Sequence, residues 1–245
     1  MTLFRDHYAD GERLEIGGVL VRLRVSRRAR RISLRIDRAR REAVAVAPSL
    51  RRLPEAAAFA KQRQGWVAER LAQIPAVRAV EAGESLMLFG APCRLAPDGR
   101  RPRLVPAVGD SPRTLAGCGV GAVDPQLVAR MIKREALRVF GARAAAHCAV
   151  LTMTAPPILV MDARTRWGSC TPARPGRGAA IRLSWRLALA PFEVADYVVA
   201  HECAHLIEAN HAARFWTLVR TLVGDEKPHR AWLRAHGAKL HAYDL

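Results

Sequence analysis

Alternation dominates the first fifty residues. Val19, Val21, Leu23 and Val25 alternate with Arg22 and Arg24, and Ile32, Leu34 and Ile36 alternate with Arg31, Ser33 and Arg35. A two-residue period puts apolar side chains on one face of a strand and arginines on the other. It predicts two half-buried strands joined by the basic segment 25–31, with a third short run at 43–47 that Pro48 ends. A helix follows. Pro54 suits a first helical position, and Phe59, Trp66, Val67, Leu71 and Ile74 form an apolar stripe up to Pro75. Residues 85–95 read as a short hairpin around Gly90, and 97–121, dense in Pro and Gly, read as loop or linker. Asp124 and Pro125 cap and start a long helix, with Val128, Met131, Ile132, Val139 and Phe140 on its buried side. Residues 158–161 and 180–187 predict strands. Pro191 opens a helix to about Glu208, and the remainder reads as helical. The expected class is α+β: a basic, β-rich region with one helix at 1–110, a linker at 111–121, and a second domain at 122–245.

Charge sharpens the first of these regions. The 245 residues carry 40 Lys+Arg against 22 Asp+Glu, a net +18, and 36 of the basic residues are Arg. Residues 22–52 alone hold twelve Arg against Asp37 and Glu42, a net +10. Two readings stand. Arg22, Arg24, Arg31 and Arg35 form a surface for phosphates or nucleic acid, or the bias is a compositional preference for Arg without function. Other classes fall away. No run of eighteen apolar residues crosses a membrane, and residues 1–16 lack the apolar core of a secretory signal. Five scattered cysteines without a CxxC pair argue against a disulfide scaffold and fit a reducing, cytoplasmic location.

Chemistry is concentrated at residues 201–205, His-Glu-Cys-Ala-His. Two His at i and i+4 share one helical face, so both imidazoles reach one metal ion, and the adjacent Glu202 is placed to act as general base on a water there. The flanks 197–200 and 206–207 are apolar, so the helix is expected to be buried. His211 follows six residues after His205, the three-His spacing of HExxHxxGxxH proteases, with Glu208 in place of the Gly. Asn210 is a candidate for the left-handed residue that turns the chain back. His211 is thus a candidate third ligand, with Glu208, Glu226 and His229 as competitors. Three neutral His leave one coordination position open, a catalytic arrangement for zinc.

Residues 165–170 (TRWGSC), 185–187 (WRL), Ala190-Pro191, 196–199 (DYVV), 201–206 (HECAHL), Asn210-His211 and Phe215-Trp216 together resemble the YgjP-like family. That family is grouped with SprT-like and M48-type zinc metallopeptidases. The likeness runs back through 131–140, 88–90, the Trp66 helix and 31–36, and so covers most of the chain. The resemblance implies a zincin-like domain over 122–245, one Zn2+ per chain on His201, His205 and His211, and a catalytic Glu202. Departures are Cys203 where the family usually has Leu, Ser184 where it often has Asn, a longer and more basic loop at 171–178, and an expanded 97–121.

Three functions follow. The first is a zinc hydrolase that cleaves peptide bonds, acting on a peptide or protein. The second is a phosphoanhydride hydrolase acting on a nucleotide. The third is a SprT-like protease tethered to nucleic acid by its basic half. Arg166 is a candidate oxyanion or phosphate contact, or alternatively the partner of Asp196 in a packed turn. The strand 181–185 is either an edge that pairs with an extended peptide or an interior strand. Cys170 and Cys203 read as inert core thiols, and Trp216 and Trp232 as core.

Overall fold

The computed structural model describes residues 5–37, 40–74, 76–163 and 165–245. Pro75, Arg38 and the first four residues of the 1–16 segment lie outside them. The fold is mixed α+β, and the chain divides into two compact units at 76/77.

The first unit begins with strands β1 (Arg13–Ile16), β2 (Val19–Val25), β3 (Ser33–Asp37) and β4 (Glu42–Ala47). They form one sheet in the order β1-β2-β4-β3, with β2 and β4 parallel and the other pairs antiparallel. Its inner face carries Leu14, Ile16, Val21, Leu23, Ala43, Ala45 and Ala47, as the alternation requires. Helix α1 (Leu53–Gln62) covers that face with Leu53, Ala56, Ala57 and Ala60. The expected single helix breaks at Arg63, and α2 (Gln64–Ala72) follows. Within α2 Val67 is buried, whereas Trp66, its neighbour about 100° round the helix, is 39% exposed. On the outer face Arg22 is nearly covered, held by Glu42 at 2.7 Å and Asp37 at 3.3 Å. The Arg22–Glu42 contact is a charge pair whose N–H is not aligned on the oxygen. Arg24 lies 3.5 Å from Asp10, while Arg31 and Arg35 are exposed.

The second unit opens with β5 (Ser85–Leu88) and β6 (Ala91–Ala96), the expected hairpin, turning at Phe89 and Gly90. The segment 97–121 departs from expectation. It contributes β7 (Arg103–Val105) and β8 (Thr114–Ala116), which complete a sheet ordered β5-β6-β8-β7. Leu115, Ala116 and Cys118 are buried in the core. The chain therefore does not divide at 111–121: Pro and Gly there mark turns between short strands, and the apolar residues among them are structural. Helix α3 (Pro125–Val150) starts where predicted, with Asp124 accepting bonds from the backbone N–H groups of Gln126 and Leu127. Strands β9 (Ile158–Met161), β10 (Gly168–Thr171) and β11 (Ala180–Ser184) form a second sheet in the order β10-β11-β9. β11 is thus interior, and β10 takes the edge that 181–185 was offered for. Helices α4 (Phe192–Ala204), α5 (Ala213–Val223) and α6 (Lys227–His236) complete the unit. Among the described residues no helix is long and apolar enough to cross a membrane, and all five cysteines are free.

Because Leu115 is buried in the core rather than set in a linker, Leu115→Ala is expected to lower unfolding stability by about 2–5 kcal/mol. The shift of the urea midpoint at unchanged slope measures it. A neutral result would return 111–121 to the status of a linker.

Candidate metal centre

Helix α4 is buried on every side: nine of its thirteen residues are inaccessible, Val194, Val198, Val199 and Cys203 among them. A helix apolar all round belongs inside a core, so the polar groups at its C-terminal end need a purpose or a partner. α4 ends at Ala204, with His205 as its cap, earlier than the expected Glu208. The turn closes through the N–H groups of Leu206, Ile207 and Glu208, bonded to the carbonyls of Cys203 and Ala204. Asn210 does not take the left-handed conformation expected of it. Its side-chain oxygen instead accepts the N–H of Ala212 at 3.0 Å and so redirects the chain into α5.

That turn brings His211 back to the helix end. Its Nε2 lies 3.1 Å from His201 Nε2, and one ring nitrogen from each of His201, His205 and His211 falls within 4.8 Å of the others. The Nδ1 atoms of His201 and His205 are engaged. His205 Nδ1 donates to the Glu208 carbonyl at 2.9 Å, and His201 Nδ1 lies 3.4 Å from the Tyr197 hydroxyl. Phe215 of α5 sits beneath the cluster, its ring 4.5–4.8 Å from all three imidazoles, and Trp216 stacks on His211. Burial, followed by the charges of His205, His211 and Arg230, pushes His201 down to about 3. Burial likewise lowers His211. Neutral imidazoles are the ligating form. Zn–N bonds of about 2.0–2.1 Å place tetrahedral ligand nitrogens a little over 3 Å apart, so a zinc ion fits this donor set with small side-chain shifts.

The competing third ligands lie elsewhere. Glu208 offers its carbonyl to His205 while its carboxylate is 3.9 Å from Arg214. His229 stacks on Tyr197. Glu226 is buried, 3% exposed, between Arg220 and Arg230.

Glu202 is 5% exposed, and its Oε2 has no hydrogen-bond partner. Burial pushes its carboxyl up to about 7, against the pull of Arg166 and of the Cys170 backbone N–H. The cause of that burial is β10. A Cβ at Gly168 would stand 2.4 Å from Glu202 Oε1 and 2.7 Å from its Cγ, so only glycine lets the strand lie against the carboxylate. Arg166 is exposed and acts on Glu202 by charge; it is not the partner of Asp196. That role belongs to α3: Arg143 holds Asp196 through Nε at 2.7 Å and Nη2 at 3.0 Å, and His147 Nε2 lies 2.7 Å from it. Cys203 points away from the histidines into the core, 3.8 Å from Cys148 Sγ, and burial pushes Cys170 up to about 11, an inert thiol. Tyr197, Phe215 and Arg230 were not singled out as site residues by sequence reasoning. Tyr197 had a signal, lying one turn before His201; Arg230 had none. Arg22, Arg24, Arg31 and Arg35 belong to the other unit.

The chain matches the family described as YgjP-like, metallopeptidase domain, over residues 30–236. Neither the curated proteins nor the solved structures contain a match to it.

Asp196 ties α4 to α3, so Asp196→Asn is expected to cost about 1.5–3 kcal/mol at neutral pH. Burial alone would raise the Asp196 carboxyl; the bonds from His147 and Arg143 outweigh it and hold the group below its ordinary value. Its contribution is therefore complete well above about pH 4 and lost as the pH falls through the depressed folded value. Urea titrations of both proteins at neutral and acid pH should converge at acid pH. A gap that persists there would mean that the carboxylate is not its source.

Proposed function

The chain belongs to the YgjP-like family and carries its metallopeptidase domain, a metal-dependent hydrolase, and from that premise we propose a zinc-dependent peptidase in which His201, His205 and His211 hold one Zn2+ and Glu202 is the general base. Zinc at such a site polarises a carbonyl and lowers the pKa of water towards about 7. The protein's own residues do the rest. Tyr197 and the Glu208 carbonyl orient His201 and His205 through their Nδ1 atoms, which leaves both Nε2 atoms for the metal. Glu202 Oε2, free of any other hydrogen bond, takes a proton from the attacking water and passes it to the leaving amine. A carboxyl poised near 7 serves both directions of that transfer. Arg166 faces the negative charge that develops beside Glu202.

The observation that carries peptide over nucleotide is the edge of β10. Among the described strands it pairs only with β11, and it lies against Glu202. An extended peptide added to that edge has its main chain held by backbone hydrogen bonds beside the general base. Such an edge recognises amide backbone, not a phosphate chain.

Glu202→Gln should retain one zinc per chain by elemental analysis and lose activity by at least about 100-fold. Screening wild type and this variant in parallel against unfolded proteins and nucleoside triphosphates decides the substrate: triphosphate turnover lost in the variant, with proteins untouched, would overturn the peptidase reading. Gly168→Ala should leave zinc content intact and depress kcat, because the added methyl displaces the Glu202 carboxylate. Unchanged kcat would remove the close approach of β10 from the mechanism.

A further inference from the structure

The first unit contains a cleft of about 380 Å3 that the hydrolase reading does not use. One wall is the run 31–34; the other is Phe59, Arg63 and Trp66. Arg31 and Ile32 lead into β3, and Ser33 and Leu34 are its first two residues; adjacent strand residues point to opposite faces of the sheet, so the wall they share lies along the edge of β3 at its start. Among the described residues that edge is open: β3 is the outer strand of its sheet and pairs there with β4 alone. The opposite wall is aromatic. Trp66 is 39% exposed, and the Arg63 guanidinium lies 5.8 Å over the Phe59 ring.

Charge selects the occupant. Among the described residues no acidic one lines the cleft. Arg22 and Arg24 are answered by Glu42, Asp37 and Asp10. Arg27, Arg28, Arg30, Arg31 and Arg35 are exposed, and among the described residues none of the five has a carboxylate in ion-pair range. Five arginines without an acid thus lie along the open edge and the turn leading into it. A second copy of the chain suits the edge less well, because pairing β3 with β3 symmetrically about Arg35 sets that arginine against itself. An unpaired strand edge facing an aromatic helical wall is the form of site that takes an extended peptide as an added strand. Single-stranded nucleic acid fits less well: it would leave the N–H and C=O groups of the edge unused, and it would find only Trp66 free for stacking, since Arg63 covers Phe59.

We propose that this cleft binds an extended acidic peptide segment, whose backbone pairs with the edge of β3 and whose carboxylates lie beside Arg31 and Arg63, with an apolar side chain against Trp66. The site stands on its own geometry and holds whatever the metal centre hydrolyses, so the test reads binding in the full-length Glu202→Gln protein. Fluorescence anisotropy would compare four labelled probes: a peptide of alternating Glu and Val, the same peptide N-methylated throughout, an alternating Lys and Val peptide, and a ten-residue oligothymidine. Saturable binding of the Glu–Val peptide is expected, weakened about tenfold or more by Arg31→Glu, by Arg63→Glu and by N-methylation, with the Lys–Val peptide not bound. Both arginines are at the surface, and circular dichroism verifies that the variants stay folded; the N-methylated peptide asks the same question without any variant. Equal binding of the N-methylated peptide, unchanged binding by both variants, or no binding of the Glu–Val peptide would overturn the proposal. So would tighter binding of oligothymidine with steep salt dependence, which would give the cleft to nucleic acid.

Discussion

The burial of α4 is the constraint on which the second unit depends. A helix packed on all sides tolerates polar groups only where neighbours supply a use for them. α3 covers one side, tied by Asp196 to Arg143 and His147, and by the contact of Cys148 with Cys203. α5 covers another, with Phe215 under the histidines. β10 closes on Glu202 through Gly168. What remains at the helix end is three imidazoles and one carboxylate, and burial lowers His201 and His211 while it raises Glu202. The packing that makes the helix stable also sets the protonation states a metal-dependent hydrolase needs.

Both units hold ion pairs at particular places. In the second, opposite charges lie in defined partnerships at the helix contacts, as with Asp196, or beside Arg220 and Arg230 around buried Glu226. In the first, two outward arginines are matched by acids and the exposed turn and outer strand are not. The net +18 is therefore not an even coat. Lining one open strand edge with arginine both disfavours pairing between copies and leaves a complementary acidic strand as the fitting occupant.

Much was legible in the residue order because it depends on local rules. The two-residue period of 19–25 and 32–36 gave strands with the predicted inner face, and Asp124-Pro125 marked the start of α3 to the residue. His201 and His205 were bound to lie one helical turn apart. Other readings failed where a local signal has two structural meanings. Pro and Gly at 97–121 are as compatible with tight turns between short strands as with a linker, and only the burial of Leu115 and Cys118 separates the two. Trp66 and Val67 are consecutive in α2 and so point about 100° apart, and only the packing shows that Val67 faces the core and Trp66 the cleft.

Residue order alone determined the family resemblance, the metal-ligand spacing and the alternation that sets the faces of the first sheet, because each of these is a matter of separation along one chain. Which strand forms the edge beside Glu202, which of His211, Glu208, Glu226 and His229 meets the two helical histidines, and which arginines find an acid were decided by the tertiary structure. Those outcomes depend on how turns and strand order fold the chain back on itself, which no periodicity encodes: His211 reaches His201 because of a turn after Ala204, and Gly168 reaches Glu202 because of the order of three strands.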